Sequence, residues 1–319
     1  MNHRGDKSRS VRERGEFGLI RELHRLIGSP DQSVAVGIGD DCAVLRSRDP
    51  RHYYLYTCDP VVESVHYRRS DPPRQVGWKV MARNLSDIAA MGGMPRWAVV
   101  SIGIRGGTDV RWVKQLYAGL RAAATEFGCQ IVGGDTTHVP HEQFVVVALI
   151  GEVEKSRLAL RGGARRGDSI MVTGTLGGSR RGKHLSFTPR VREARWLVTN
   201  FPLHAMIDLS DGLSSDLHRL VEASPRGTAV EIHAADIPLA RAARGRLAAA
   251  LNDGEDFELL FTIDPGHVTT LRQKWARRFR TELTEIGRVV KSKHAVALVG
   301  RDGSRKPLLA AGYDHFANH

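Results

Sequence analysis

The chain alternates short apolar runs, typical of β-strands, with segments whose apolar residues recur at helical spacing, and this alternation limits the fold more than any other feature. Strands that alternate with helices in this way are typical of α/β proteins. The first set of predicted elements comprises strands at 34–38, 53–57, 97–104 and 144–151 and helices at 16–27, 74–91 and 109–127. The second set comprises strands at 169–173, 205–209, 229–233, 257–262, 284–290 and 295–299 and helices near 212–223, 239–250 and 265–279.

A Gly- and Arg-rich segment at 154–170 separates the two sets, and we place the domain boundary at about 151–167. We expect an N-terminal domain at 15–151 and a C-terminal domain at 152–319. With 319 residues and 41% apolar content, the chain can bury a core in each domain. Residues 1–14 are polar and charged, so we expect a disordered basic leader there.

The net charge of +12 favours anionic partners, and both nucleic acids and phosphorylated small molecules fit this charge. The basic residues are scattered, and no nucleic-acid-binding motif or aromatic interleaving accompanies them. We therefore expect no nucleic-acid partner. No run approaches the ~18 apolar residues that a membrane helix needs, and the first residues lack the apolar segment of a secretory signal. The expected location is the cytoplasm, with no membrane partner.

Carboxylates recur at strand ends, each time beside glycine or another small residue. Six short motifs share this placement: GIGDD (37–41), TCD (57–59), NLSD (84–87), GGDTT (133–137), DLSDG (208–212) and GEDFEL (254–259). A single Asp beside Gly is common turn chemistry. If the six motifs converge, each pair of carboxylates about 4 Å apart repels by roughly 4 kcal/mol at an effective dielectric constant of about 20. Bound cations would offset this cost, and oxygen ligands without His or Cys favour Mg²⁺.

The glycines beside these acids point to a phosphate-bearing ligand. Glycine lets backbone N–H groups approach an anion closely, and Mg²⁺ held by carboxylates commonly also binds phosphate oxygens. A nucleotide polyphosphate is the simplest ligand with both requirements. The chain has neither a P-loop nor the protein-kinase motifs, so ATP chemistry here would use a different fold. The Gly-rich stretch VTGTLGGS (172–179) is weak evidence by itself.

The motifs taken together resemble those of the thiamine-monophosphate kinase family, in the aminoimidazole-ribotide synthetase-like superfamily. The resemblance runs in order over about 15–316 and rests on GEFGLI, GIGDDCAVL, NLSDIAAMGGMP, GGDTT, VTGTLGGS, AMIDLSDGLSSDL, GEDFELLFT and GYDHF. It implies a two-domain α/β (α+β) fold, with an N-terminal mixed sheet covered by helices on one face and a C-terminal α/β domain. It also implies a homodimer formed through the N-terminal sheets, and phosphorylation of thiamine monophosphate by ATP to thiamine diphosphate.

The resemblance further implies roles for individual residues. The positions that fall on Mg²⁺ ligands are Asp41, Thr57, Cys58, Asp59, Asp87, Asp135, Asp208 and Asp211. Those that fall on ATP contacts are Gly134, Asp135, Arg161 and Ser210, and those on acceptor contacts are His66, Glu255 and Tyr313. No protein nucleophile is expected, because the acceptor phosphate is already ionised and in-line transfer needs charge neutralisation and placement. Several Mg²⁺ ions held between two anions would supply both.

Two positions depart from the family pattern. Cys58 stands where the family usually has Ser or Thr, and a thiol is a poor Mg²⁺ ligand, so contact through its backbone carbonyl or loss of that ligand is expected. The segment 177–191 is shorter than the family's, which normally carries an extra helix there. We take Arg180, Arg181 and Lys183 as the candidates to contact substrates in its place.

Two alternatives to this function stay open at the level of sequence. One is another ATP-using member of the superfamily, such as a purine-biosynthesis cyclo-ligase, and the other is a non-catalytic nucleotide-binding protein. Within GIGDD, successive side chains of an extended segment point to opposite sides. We therefore assign Asp41 to metal and expect Asp40 to cap or brace the turn or the dimer edge, so that Asp41→Asn costs more activity than Asp40→Asn.

Overall fold

The computed structural model describes residues 10–316, and its N-terminal half is built on a six-stranded sheet in the order β1-β2-β3-β6-β4-β5. All neighbouring strands are antiparallel except β4 and β5, so the sheet is mixed, as the resemblance implied. The elements are α1 (Val11–Ile27), β1 (Val34–Val36), β2 (Ala43–Arg46), β3 (His52–Val62), α2 (Pro73–Ala90), β4 (Met94–Ile104), α3 (Val110–Glu126), β5 (Gln130–His138) and β6 (Phe144–Glu154).

Helices α2 and α3 cover one face of this sheet, here called the inner face. The strands alternate buried residues toward these helices with more exposed residues on the other, outer face. Tyr56, Trp97 and Val99 lie on the outer face and are 43%, 40% and 41% exposed. The outer face therefore exposes several large apolar side chains to solvent.

The two helices on the inner face pack at glycines. A Cβ atom at Gly77 of α2 would lie 2.0 Å from the carbonyl oxygen of Leu116, and one at Gly119 of α3 would lie 1.9 Å from that of Arg74. Only glycine permits so close an approach of the two backbones. This contact fixes the depth at which α2 sits on the sheet.

The C-terminal half is a seven-stranded sheet in the order β13-β12-β9-β11-β7-β10-β8, antiparallel except for the pair β9 and β12. Its elements are β7 (Ser169–Thr173), α4 (Val191–Asn200), β8 (Leu203–Asp208), α5 (Leu213–Ala223), β9 (Ala229–His233), α6 (Leu247–Asn252), β10 (Leu259–Ile263), α7 (Pro265–Arg278), β11 (Leu283–Val290), β12 (Val296–Val299) and β13 (Arg305–Pro307). Helices α5 and α6 pack on one face and α4 and α7 on the other. The core under α4 and α7 is continuous with the core around α2, which joins the two halves.

The structure differs from the predicted elements at the N-terminus. Residues 1–9 of the expected leader lie outside the described residues. Residues 11–14 are helical, because Ser10 and Glu13 form a reciprocal capping box, so the prediction of disorder is wrong for these four. Gly15, with φ +65°, interrupts α1 at the point where the predicted helix begins.

Other differences follow from contacts that are distant in sequence. The predicted elements do not include the strands β2, β5 and β13 or the helix α4, and β5 contains the acidic motif GGDTT. Pairing with β4 holds that stretch extended over nine residues. The helix predicted at 239–250 is broken by left-handed backbone at Arg244 and Gly245, which leaves a short 3₁₀ turn followed by α6. No helix in residues 10–316 is both long and apolar enough to cross a membrane.

Candidate active site

Four of the predicted aspartates lie close together where α2 meets the C-terminal sheet, a region called the cleft below. Asp59 comes from β3, Asp87 from the last turn of α2, Asp208 from the end of β8, and Asp41 from the turn before β2. Strand alternation turns Asp59 toward α2, where its backbone N–H donates to Asn84 at 3.0 Å. The acidic motifs at 41, 59, 87 and 208 therefore converge, although they are far apart along the chain.

Burial and mutual repulsion destabilise the ionised forms of these carboxylates and so raise their pKa values. Burial raises the pKa of Asp208 to about 8, and the charge of Asp41 adds to the effect. Burial also raises the pKa of Asp87 well above its usual value, with repulsion from Asp59 and Asp208. Burial raises the pKa of Asp41 as well, but the neighbouring Arg161 opposes that shift. A bound cation would relieve this repulsion.

Each of the four carboxylates also has a protein partner. Arg161 binds Asp41 at 2.6 Å, Arg83 binds Asp59 at 3.0 Å, and the hydroxyls of Thr57 and Ser86 each donate at 2.5 Å, to Asp87 and Asp208 respectively. As these side chains stand, no three His, Cys, Asp or Glu groups in residues 10–316 are close enough to hold one metal ion. Metal binding would therefore require these carboxylates to turn away from their partners.

The residues of the cleft nevertheless fit Mg²⁺. The donor set contains only oxygen atoms, which Mg²⁺ prefers. The Oδ2 atom of Asp41 is buried without a hydrogen-bond partner among the described residues, which is the state expected of a ligand atom awaiting a cation. Thr57 lies on the inner face beside Asp87, so its hydroxyl is also within reach of an ion held there.

Asp211 and its neighbour Asp216 lie at the rim of the same cleft. Burial raises the pKa of Asp211 to about 6. Asp216, which the sequence analysis did not single out, accepts hydrogen bonds from the backbone N–H groups of Asp211 and Gly212 at 3.2 and 3.1 Å. Its place in the first turn of a predicted helix was the available signal. Asp216 thus fixes the loop that carries Asp211 and Ser210.

Asp40 and Asp41 bind different groups of the same residue, Arg161. Asp40 accepts from the backbone N–H of Asp41 at 3.0 Å and from that of Arg161 at 3.1 and 3.2 Å, which braces the turn as expected. Asp41 instead binds the guanidinium of Arg161. The two side chains do not point to opposite sides, because residues 39–42 form a turn rather than a strand.

Three of the predicted residues lie away from this cleft in the single chain. Pairing across β3, β6, β4 and β5 puts Pro60, Val146, Ser101 and Asp135 in one row, and this row is on the outer face. Asp135 is therefore three strands, roughly 14 Å, from β3 and on the opposite face from Asp59.

Gly134 lies on the same edge strand, where a Cβ atom would be 1.9 Å from the carbonyl oxygen of Val100. The Cys58 side chain is exposed on the outer face, which leaves only its backbone for a metal in the cleft.

A cavity of about 530 Å³ beside the cleft contains two of the three predicted acceptor contacts. His66 and Glu255 line it, and Arg83 joins it to the aspartate cluster, with its guanidinium 3.0 Å from Asp59 and 3.9 Å from Glu255. Burial lowers the pKa of His66 to about 3, so the ring is neutral. Its Nδ1 accepts from the backbone N–H of Val62 at 3.1 Å, which leaves the Nε2–H to donate to a ligand.

Tyr313 reaches the same cavity through a series of ring contacts. Its ring centroid is 4.9 Å from that of His315, which in turn is 5.2 Å from that of His66. The guanidinium of Arg180, a lining residue of the cavity, lies 4.4 Å from the centre of the Tyr313 ring. The three predicted acceptor residues thus belong to one region.

The short segment 177–190 forms one wall of the cavity. Arg180 and Arg181 line it, whereas Lys183 binds the buried Glu258 at 3.0 Å and does not face it. His184 lines it too, and the sequence analysis missed this residue. No signal in the sequence marked His184, because its neighbours in space are distant in the chain.

The Gly-rich stretch before this segment does not present free amides. The backbone N–H groups of Gly177 and Gly178 donate to Asp256 at 2.9 Å and to Asp253 at 3.0 Å. In this arrangement carboxylates of the protein itself occupy the positions where a phosphate would bind. Gly177 and Gly178 therefore do not act as a phosphate loop here.

Comparison with known proteins gives a consistent result. Residues 39–153 match the N-terminal domain, and residues 146–300 the C-terminal domain, of AIR synthase related protein. A thiamine-monophosphate kinase of Rhodopirellula baltica is 36% identical over 273 residues, covering 81% of this chain and 84% of that protein. One from Aquifex aeolicus is 32% identical, covering 96% and 99%. The solved structure described as AaThiL complexed with AMPPCP and TMP has a TM-score of 0.82 at 31% identity, covering 97% of this chain and 100% of that one.

The fold and the acid-lined cleft between its two sheets define the class: a two-domain α/β protein of the AIR synthase related type, as the sequence predicted. Identity above 30% over nearly the full length narrows the class further. The chain belongs to the thiamine-monophosphate kinase family.

Proposed function

We propose that this protein transfers the γ-phosphoryl group of ATP directly to the phosphate of thiamine monophosphate, which yields thiamine diphosphate. The observation that carries the proposal is the adjacency of two sites in a chain of this family. A cleft with four converging aspartates suits the polyphosphate and its metal ions, and a 530 Å³ cavity next to it suits the acceptor. Arg83 lies between them, near the place where the two phosphates would meet.

Magnesium is part of the proposal. Asp41, Asp59, Asp87 and Asp208 would hold it, with Asp211 and the Thr57 hydroxyl at the rim. When bound, the ions would neutralise the two anions and align them for in-line displacement. The chain itself would then bind and orient the substrates: Arg161 and Ser210 on the nucleotide side, and His66, Glu255 and Tyr313 on the acceptor side.

The active form is a homodimer in this proposal. The apolar outer face of the N-terminal sheet, with Tyr56, Trp97 and Val99, gains most by being covered by the same face of a second copy. Such a dimer would also explain why Gly134 and Asp135 lie away from the cleft of their own chain. Asp135 lies on the outer face of the single chain, so Asp135 and the adjoining backbone of Gly134 would serve the cleft of the partner subunit.

The division into domains at residue 151 and a cytoplasmic location complete the proposal. The first sheet ends at Glu154 and the second begins at Ser169, so the proposed boundary falls at the end of the last strand of the first sheet. The cytoplasm is the compartment expected for an enzyme that consumes ATP.

The test is an assay of the purified chain with ATP and Mg²⁺. Thiamine monophosphate should be converted to thiamine diphosphate with one ADP per product, and free thiamine should give no product. Aminoimidazole-type precursors serve as the second control, because turnover of these alone would indicate the cyclo-ligase. Nucleotide binding without any turnover would indicate a non-catalytic binding protein.

A further inference from the structure

A fully buried lysine lies behind the acceptor cavity. Lys79 of α2 is 0% exposed, and its ammonium nitrogen is close to three groups on three different segments. The carbonyl oxygen of His66 is 2.6 Å away, Nδ1 of His184 is 2.8 Å away, and Oε1 of Glu255 is 2.6 Å away. A buried ammonium is tolerated only when it is paired in this way. Lys79 therefore ties together three walls of the cavity.

One of these three partners, Glu255, has an unfavourable backbone conformation. Its φ is +58°, in the left-handed region that side chains other than glycine rarely adopt. Its backbone N–H donates to the carbonyl oxygen of Ser210 at 2.7 Å. Such a conformation persists only when its surroundings hold it in place. Here the side chain is paired with Lys79 through Oε1, and the His184 ring lies beside it, with Nδ1 3.3 Å from Oε2.

His184 is itself fixed by the segment that carries it. Glu258, 1% exposed, binds Lys183 on one side of His184 and Arg190 on the other, the latter at 2.6 and 2.7 Å. Further along the segment, Phe187 stacks on Phe257 with ring centroids 4.2 Å apart. The indole N–H of Trp78 in α2 donates to the carbonyl oxygen of Phe187 at 2.8 Å. The shortened segment is therefore a fixed wall against α2.

We propose that Lys79 and His184 are positioning residues for the phosphoryl acceptor, which hold the Glu255 carboxylate at the cavity wall and so set how tightly the acceptor binds. The inference rests on the proposed function, because Glu255 acts there on thiamine monophosphate. Thiamine carries a positively charged thiazolium ring, for which a fixed and ionised carboxylate is the complement. Neither Lys79 nor His184 needs to touch the acceptor for this role.

The test compares three His184 and Lys79 variants with a surface control. His184→Leu removes the contact with Lys79 and Glu255, whereas His184→Asn keeps a polar group near the place of Nδ1. Lys79→Met removes the ammonium at similar volume, and Lys291→Met, in the exposed connection after β11, is the control. The Michaelis constants for ATP and for thiamine monophosphate are measured separately. Calorimetric titration with thiamine monophosphate alone gives binding without turnover.

We expect His184→Leu and Lys79→Met to raise the Michaelis constant and the dissociation constant for thiamine monophosphate by ten-fold or more. The Michaelis constant for ATP should stay within two-fold of the wild-type value, and His184→Asn should recover most of the loss. If Lys79→Met does not fold, the two His184 variants decide the question.

Two results would overturn the inference. One is an unchanged constant for the acceptor in His184→Leu, and the other is an equal rise in both constants together with a lower melting temperature. Both results are informative only when the wild-type chain turns over thiamine monophosphate. A wild-type chain that does not turn over thiamine monophosphate contradicts the proposed function instead, so the two failures are distinguishable.

Discussion

At the scale of single residues, the two neighbouring acids of GIGDD have different surroundings. Their substitutions are therefore expected to change kcat by different amounts. Asp41 has a buried oxygen without a partner, whereas both oxygens of Asp40 accept backbone N–H groups. We expect Asp41→Asn to lower kcat by 100-fold or more, since it removes a proposed metal ligand. Asp40→Asn should lower kcat by less than ten-fold, because it mainly weakens a turn. Steady-state assays at saturating Mg²⁺ check both, and equal losses would contradict the division.

The raised pKa of Asp208 leads us to predict how the stability of the protein depends on pH. Its folded value of about 8 lies above its unfolded value, so the unfolded chain loses this proton first. Protonated Asp208 therefore contributes to the free energy of unfolding at low pH, and this contribution is lost as the pH rises toward 8. Without metal, the melting temperature should fall between pH 6.5 and pH 8, and saturating Mg²⁺ should restore it.

Asp208→Asn is the matched variant for this measurement, because it keeps the shape without the titration. Its melting temperature in EDTA should be flatter over the same interval, and Mg²⁺ should raise it less than in the wild type. A wild-type protein whose stability in EDTA does not change between pH 6.5 and 8 would contradict the explanation.

At the scale of elements, α2 carries much of the site. Lys79, Arg83 and Asp87 are spaced four residues apart, so they share one face of the helix and lie about 6 Å apart along its axis. This face runs from the acceptor cavity, past the linking arginine, to the metal cleft. The depth of α2, fixed by its glycine contact with α3, therefore sets the geometry of both sites.

Gly119→Ala should disturb the site without touching it. The added methyl group would meet the carbonyl of Arg74 and push α2 away, which we expect to cost about 1–3 kcal/mol of stability. It should also lower kcat, because Asp87 moves with the helix. Gly18→Ala in α1 is the control, since a Cβ atom there meets only Arg14 at 3.5 Å. Urea unfolding and kcat are the two measurements, and a fully stable, fully active Gly119→Ala would contradict this role.

At the scale of the whole molecule, the predicted site residues are divided between the two faces of one sheet. Asp87 faces the inner side, whereas Asp135 lies in a row on the outer side. One chain cannot bring these two acids together without breaking the pairing of four strands. If Asp135 serves the proposed site, the dimer is required for catalysis and not only for stability.

Mixing two inactive variants tests this arrangement. Asp87→Asn and Asp135→Asn should each be inactive alone while keeping the wild-type fold. After equimolar mixing and subunit exchange, half of the dimers carry one of each, and one of their two sites is intact, so about a quarter of the wild-type activity should return. No recovery after proven exchange would mean that both acids serve the same chain, and an active Asp135→Asn by itself would mean that Asp135 is dispensable.

The sequence by itself determined the features that depend on local order. The alternation of apolar runs and helical spacing predicted most elements, and acids beside glycine or another small residue marked Asp41, Asp59, Asp87 and Asp208. The structure places Asp59 within β3 and Asp87 in α2, and not at strand ends as predicted. These signals are local because a strand must end where its apolar run ends, and a small residue is needed where the chain turns. The family resemblance extended the same motifs to the function.

Only the tertiary structure decided which of these groups meet. It turned Asp135 and the Cys58 side chain to the outer face, since strand register and not composition sets the face on which a residue lies. It buried Lys79, which composition would place at the surface, because Glu255 and His184 arrive from distant segments to pair with it. Register and buried pairing depend on residues far apart in the chain, so no local pattern records them.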